Sequence, residues 1–543
     1  MQLREMKRPC QDLAVARRLT ARRVATLLVT GLLALLVACG GGGGGTPTPA
    51  ALAALPDSAT VQGEPAQIDI GITGSVAADL LLSASSSNQA LVPNGGLTFS
   101  GSGAQRSLTA NPLPGQSGST VITVTLSNSL GVLDTEAFTL TVQASDSTGF
   151  QLQRTLIASD ASESSNFGIS VAMSGTTALV GADGVNVITP AGLVEDAGAA
   201  YVFDLVGGIW QESQRLIAST PAEDDWFGTD VDIDGDLAVV GAPGDSTAAD
   251  TAGAAHIFTR GAGGDWVATI RLESSNPLAD TQFGRSVAVS GTTVVVSARH
   301  NEAGMPAGTV FVYEYVDSAW EFVVRLEASD SANNNNFGAS VALEGDTLVV
   351  GADNAPGASA SGRGAVYVFT REAGIWSQAT KLVRPGTTNL DHFGAQVSLT
   401  GNSVFASATG MDAWFDESRV TSAGMAFEFR GGGASWAPQP GLSANPPLTG
   451  GAFSRSAVVM GNTLIVSEHH AAVPPEQRAG KVHVFGRSGD AWVHTNAFTA
   501  PTPSQLQNFG YGMASNGTAL MVGAPGYEDT HARQGAVFVY GQP

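Results

Sequence analysis

A Phe-Gly pair recurs along the last two thirds of this chain, and its spacing restricts the fold more than any other feature. The pairs are Phe167-Gly168, Phe227-Gly228, Phe283-Gly284, Phe337-Gly338, Phe393-Gly394 and Phe509-Gly510, with Phe453-Ser454 in the remaining slot. Successive intervals are 60, 56, 54, 56, 60 and 56 residues, which makes seven units. Repeats of this length mark supersecondary units that bury their apolar faces only against one another.

Every unit keeps the same internal spacing. Eight residues after the Phe stands Gly175, Gly235, Gly291, Gly345, Gly401, Gly461 or Gly517, between two apolar runs. A glycine there predicts the positive φ of a tight hairpin turn. Fourteen residues after the Phe stands a small residue, Gly181, Gly241, Ser297, Gly351, Ser407, Ser467 or Gly523. Ala follows it in six of the seven units, with Glu468 the exception, which predicts close strand approach at a crowded axis. A third strand then opens on Gly and carries two rings two residues apart, as in Gly198-Ala-Ala-Tyr201-Val-Phe203 and Gly364-Ala-Val-Tyr367-Val-Phe369. The two-residue period puts both rings on one face. Trp210, Trp266, Trp320, Trp376, Trp436 and Trp492 open a fourth strand and are read as packing residues.

Four strands in each of seven units predict an all-β fold, a seven-bladed β-propeller over residues 150–543. Unit seven lacks a fourth strand of its own after Tyr540. A spare copy precedes unit one, because residues 150–159 read FQLQRTLIAS and residues 210–219 read WQESQRLIAS. The spare strand is therefore expected to pair antiparallel with 535–540 and leave no open edge.

At these residues the chain resembles the FG-GAP repeat family of integrin α-chain propellers. Gly241-Ala242-Pro243 and Gly523-Ala524-Pro525 carry the second half of the family's name. The resemblance implies that binding sits on the face formed by the strand 2–3 and strand 4–1 loops. It also implies calcium, but the family's Asp-rich loop between strands one and two is here a tight turn. Asp230, Asp232, Asp234 and Asp236 alternate, so they fall on one face as a channel lining or solvated surface rather than wrapping an ion. No metal and no cofactor is assigned.

Residues 1–38 read as a lipoprotein signal peptide, with seven basic residues ahead of an apolar run of 14 from Val24 to Val37. Leu36-Val37-Ala38-Cys39 resembles a bacterial lipobox, which makes Cys39 the lipidation site. Residues 39–50 continue as a tether of six glycines and two Thr-Pro pairs. By resemblance to Gram-negative sorting, Gly40 after the cysteine directs the protein to the outer membrane. Residues 51–146 alternate through runs such as Ala66–Ile72 and Val121–Leu126, and resemble an Ig-like or cadherin-like β-sandwich.

Charge narrows the partners. The chain holds 26 Lys+Arg against 48 Asp+Glu, a net charge of −22, which disfavours nucleic acid. Cys10 and Cys39 are the only cysteines, so the exported part has neither disulfide nor thiol chemistry. No GxSxG, HExxH, P-loop or CxxC pattern is present, and no catalytic residue is assigned. Trp226 and Trp414 stand apart from the six repeat tryptophans and lie in loops of the predicted binding face. With Asp225, Phe415 and Asp416 beside them, they suit stacking on sugar rings with polar contacts to hydroxyls. Five histidines, His300, His392, His469, His470 and His531, fall on that face as well. Adjacent residues on a strand point oppositely, so His469 and His470 are not expected to chelate one ion. The reading is a lipid-anchored adhesion protein meeting a protein or glycan at the cell surface. A lectin-like propeller and a hydrolase or lyase with a site across several blades are the alternatives.

Overall fold

A computed structural model describes residues 49–61, 65–74, 80–113, 118–143, 149–299, 307–331, 334–357, 363–384, 391–416 and 418–541. The signal segment, Cys39, most of the tether and His300 lie outside the described residues. The described chain is all-β; a three-residue 3₁₀ turn at Asn94–Gly96 is its only helical element among the described residues.

The N-terminal unit has two four-stranded sheets. One orders Ala51–Leu52, Ala66–Thr73, Gln105–Ala110 and Leu97–Ser102; the other orders Ser58–Val61, Gly131–Gln143, Gly118–Asn128 and Leu81–Ser86. Alternation explains the core they share. Ile68, Ile70 and Ile72 from the first and Ile122, Val124 and Leu126 from the second are buried in one cluster.

The remaining strands form five four-stranded sheets, one eight-stranded sheet made of two such halves, and two two-stranded hairpins, so the same antiparallel plan occurs seven times, each occurrence counted below as a sheet. The first runs through Ser170–Ser174, Thr177–Ala182, Ala199–Val206 and Ile209–Leu216. The second comprises Val231–Asp234, Leu237–Ala242, Ala254–Arg260 and Trp266–Leu272. The third runs from Val287–Ser290 to Ala319–Leu326, the fourth from Phe337–Glu344 to Ile375–Leu382, the fifth from Phe393–Thr400 to Ser435–Pro438, and the sixth from Phe453–Met460 to Ala491–Phe498. In the seventh, Met513–Ser515, Ala519–Ala524 and Ala536–Gly541 are completed by Gln151–Leu156 from far upstream. That last pairing is antiparallel, with Val537 opposite Leu156 and Gly541 opposite Gln151.

Each sheet is latched to the next by its Phe-Gly pair. Phe227 bridges in parallel to Gly198, Phe283 to Gly253 and Phe167 to Gly535. The equivalent bridge from Gly364 to Phe393 joins the fourth and fifth sheets into one hydrogen-bonded array. The junction between the seventh and first sheets is thus made like the others. First strands of consecutive sheets touch, and those of the first and seventh sheets touch too.

The packing follows from the repeat. All seven unit phenylalanines are buried, and each meets both rings of its third strand, mostly edge-on. Phe283, for example, lies 5.2 Å from Phe311 and 6.4 Å from Tyr313. The turn glycines are left-handed, from Gly345 at φ 55° to Gly517 at φ 86°. The small-residue slot is as crowded as expected: a Cβ on Gly241 would lie 1.9 Å from the Gly284 carbonyl oxygen.

Candidate functional site

The loops that precede each Phe share one conformation, and it shapes the face on which they lie. The residues three and one before the Phe are left-handed in several units, as in Ser164 and Asn166, Asp224 and Trp226, Asp280 and Gln282, and Asn334 and Asn336. Between them sits a buried polar residue, Ser165, Asp225, Thr281 or Asn335. Its side chain closes the loop from inside.

One expectation about this face needs correction on that account. Asp225 is 1 % exposed, and its carboxylate accepts the Ala222 N–H at 2.7 Å. It is turned inward and holds the loop; burial raises its pKa to about 6. Trp226, apart from the six strand-opening tryptophans, occupies a slot filled by Asn166, Gln282 and Asn336 in other units. It is 37 % exposed and borders a cavity of about 430 Å³ with Pro243, Asp196, Gln282, Arg285 and Arg533.

Trp414 and Phe415 lie elsewhere, on the hairpin Ala413–Phe415 with Ser418–Val420 in the fifth sheet's loop. They are 73 % and 44 % exposed. Opposite Trp414 stands Arg419, whose guanidinium pairs with Asp412. Asp416 is exposed and left-handed at φ 48°. The structure thus places the five proposed ligand-binding residues in two separate loops. A second hairpin, Val187–Thr189 with Gly192–Val194, projects from the corresponding loop of the first sheet. It exposes Ile188 (84 %) and Leu193 (61 %), which sequence reasoning missed. The signal was an apolar pair flanking a Thr-Pro-Ala-Gly turn in a loop that should be polar.

His469 and His470 differ from expectation in geometry. The strand ends at Glu468, and beyond it the two rings come together at 4.0 Å. Burial and the charges of Arg455 and Arg478 hold both below the usual imidazole range. Glu468, which replaces the usual Ala, is fully buried and receives His483 Nε2 at 3.0 Å, while His483 Nδ1 meets His494 Nε2 at 3.0 Å. Among the described residues, no group of three or more His, Cys, Asp or Glu could hold a metal ion.

Asp230, Asp232 and Asp234 share one face, whereas Asp236 lies past the Gly235 turn, and the structure shows what the three do there. The Val287 N–H donates to Asp230 Oδ2, the Val289 N–H to Asp232 Oδ2 and the Gly291 N–H to Asp234 Oδ2, at 2.9, 2.8 and 2.7 Å. Three side chains of the second sheet thereby satisfy backbone donors of the third, where no ladder connects them. Ser170, Ser174, Ser286, Ser290 and Glu344 serve the same way between other sheets. The aspartates are a seam between sheets.

Burial drives the pKa of Asp232 to about 7 against the pull of the Val289 and Ile233 N–H groups, and Asp230 and Asp234 add to the rise. Folded protein then holds a proton on Asp232 that the unfolded chain releases from about pH 4. Its contribution to stability is present below that pH and is lost as pH rises through about 7. Asp232→Asn removes this dependence. Measured by thermal unfolding, the stability of the wild type relative to Asp232→Asn should fall between pH 4 and 8; a difference that stays constant would refute the shift.

The FG-GAP repeat family model matches residues 150–203, 210–258, 266–313 and 320–369. No curated protein matches the chain. Among solved structures, YjhT is similar at 11 % identity over 63 % of this chain and 99 % of its own, with a TM-score of 0.34. An Ig-like domain of human Obscurin-like protein 1 is similar at 25 % identity over 19 % of this chain and 95 % of its own, with a TM-score of 0.13. A complex of Titin M10 with the Obscurin-like 1 Ig domain matches at 21 % identity over 18 % of this chain and 96 % of that chain, with a TM-score of 0.15. No helix among the described residues is long and apolar enough to cross a membrane. The chain is an all-β repeat protein whose residues 150–369 carry four FG-GAP repeats.

Proposed function

We propose that the seven sheets are the blades of a β-propeller, set on an Ig-like β-sandwich, and that its loop face binds a protein or glycan partner at the cell surface. In this reading Cys39 carries the lipid anchor and the Gly/Pro tether holds the folded part away from the outer membrane. The observation that carries the proposal is the pair of hairpins. Trp414 and Phe415 on one, and Ile188 and Leu193 on the other, display large apolar side chains on loops of the end where the Phe-Gly pairs lie. Exposed apolar groups on rigidly framed loops mark contact surfaces.

Trp414→Ala, Ile188→Ser and the double variant test this in the full chain. A screen against glycans and surface proteins, with and without EDTA, should show a partner whose response falls at least tenfold in the double variant. A partner that binds all variants equally would remove the hairpins from the interface. Trp226, which borders a polar cavity, favours the lectin-like alternative. Trp226→Ala should then abolish glycan signal while leaving protein binding intact.

A further inference from the structure

Arginine 285 and arginine 455 hold the same slot of their units, two residues after the Phe. The other units place Ile169, Thr229, Ala339, Ala395 and Tyr511 there. The slot lies within two residues of the start of each sheet's first strand, and those strands touch one another in order, the seventh meeting the first. Both arginines therefore reach one cavity of about 390 Å³ at the Phe-Gly end, with Tyr511, Gln396, Ser456 and Asp230. Arg285 also borders the cavity beside Trp226 and a third of about 660 Å³ that holds Arg299.

Their partners are unusual for this chain. Acidic residues outnumber basic ones 48 to 26, and Arg215, Arg260, Arg271, Arg371 and Arg430 each meet a carboxylate within 3.1 Å. Among the described residues neither Arg285 nor Arg455 makes an ion pair. Arg285 donates to the amide oxygen of Asn336 at 3.1 Å, and Arg455 lies over the Tyr511 ring at 4.1 Å. Two carboxylates, Asp230 and Asp353, act on the arginines through their charge but spend their hydrogen bonds elsewhere. Asp230 accepts from the Val287 N–H and the Ser170 hydroxyl, and Asp353 accepts from Asn336 Nδ2 and pairs with His392. Arg478 and Arg533, on the same face, bond to His470 and Asn166 instead of acids. Burial holds the Arg285 pKa down, with the fields of Arg299 and Arg455 adding to the fall and the Asp353 carboxylate opposing it.

Both arginines are half-buried; a guanidinium partly withdrawn from water without a paired acid is disfavoured, and a planar fork is the side chain best matched to an oxyanion. We infer that the cavity both arginines reach at the Phe-Gly end is a binding site for an oxyanion carried on a small hydroxylated ligand, with Arg285 and Arg455 holding its charge. The class is an acidic sugar bearing a carboxylate or sulfate. Gln396 and Ser456 offer hydrogen bonds to hydroxyls, and Tyr511, under the Arg455 guanidinium, completes the wall. The site uses other side chains than the two apolar hairpins and stands whether or not they bind a partner.

Calorimetric titration of the full chain with galacturonic acid, galactose and inorganic sulfate tests it. Galacturonic acid should bind and galactose should not. Sulfate should compete, and affinity should drop as sodium chloride rises. Arg285→Gln with Arg455→Gln should weaken galacturonic acid at least tenfold, and the Lys pair, which keeps the charges, should retain more binding than the Gln pair. Thermal unfolding supplies a second readout: galacturonic acid should raise the Tm of the wild type and leave that of the folded Gln double variant unchanged. Sulfate binding without galacturonic acid would overturn the sugar part of the inference and leave a free inorganic anion as the ligand. Equal binding of galactose, no binding of either anion at millimolar concentration, or undiminished binding by the folded Gln variant would overturn the site.

Discussion

Deleting residues 150–158 should leave a protein that no longer unfolds in one cooperative transition and that aggregates on expression. The segment supplies the outer strand of the seventh sheet, in register with 537–541. It buries Phe150 against Phe498 at 5.9 Å, and Leu156 and Ala158 in the core between the seventh and first sheets. A buried Leu or Phe contributes about 1.5–3 kcal/mol, and each ladder hydrogen bond about 1 kcal/mol net. A loss on the order of 5 kcal/mol follows, comparable to the whole stability of many domains. The deletion also bares the backbone of 536–541 as an edge open to other chains. Circular dichroism melting and size-exclusion chromatography would read the effect, and a peptide of residues 150–158 added in trans should partly restore the melt. A deleted protein that stays monomeric with an unchanged Tm would show that the strand is dispensable.

Phe283→Ala should cost about 3–5 kcal/mol of stability. The ring is fully buried among Phe311, Tyr313 and the apolar residues of the second and third sheets. Its removal leaves a cavity at the junction where Phe283 bridges to Gly253, so two sheets lose contacts at once. Phe415→Ala is the matched control. That ring is 44 % exposed on a hairpin, and its loss should change stability by less than about 0.5 kcal/mol. Urea unfolding of the two variants separates the roles, and equal midpoints would contradict the division between framework and contact surface.

Much of the framework was legible because it rests on short-range rules. A left-handed glycine eight residues after each Phe, two rings two residues apart and a small residue at a crowded position are local demands of turn chemistry, strand alternation and volume. They survive in sequence as fixed spacings, and the pairing of 151–156 with 536–541 could be read from the likeness of two segments. The candidate site was legible only in part. Trp414 and Phe415 were found as aromatics in a loop, whereas Asp225 looked like a neighbour of Trp226 on the same surface. Consecutive residues in a left-handed loop do not share a direction, and the carboxylate turned inward to the Ala222 N–H. Ile188 and Leu193 were passed over because isolated apolar residues in a loop carry no periodicity.

By itself, the sequence determined the repeat, the strand plan and the segment that completes the seventh sheet, since each is written in spacing along the chain. Only the tertiary structure decided which side chains meet across it. Asp230, Asp232 and Asp234 find their donors 57 residues downstream, and Arg285 and Arg455 reach one cavity from the third and sixth sheets. Such meetings depend on how successive sheets pack against one another, which no local pattern encodes.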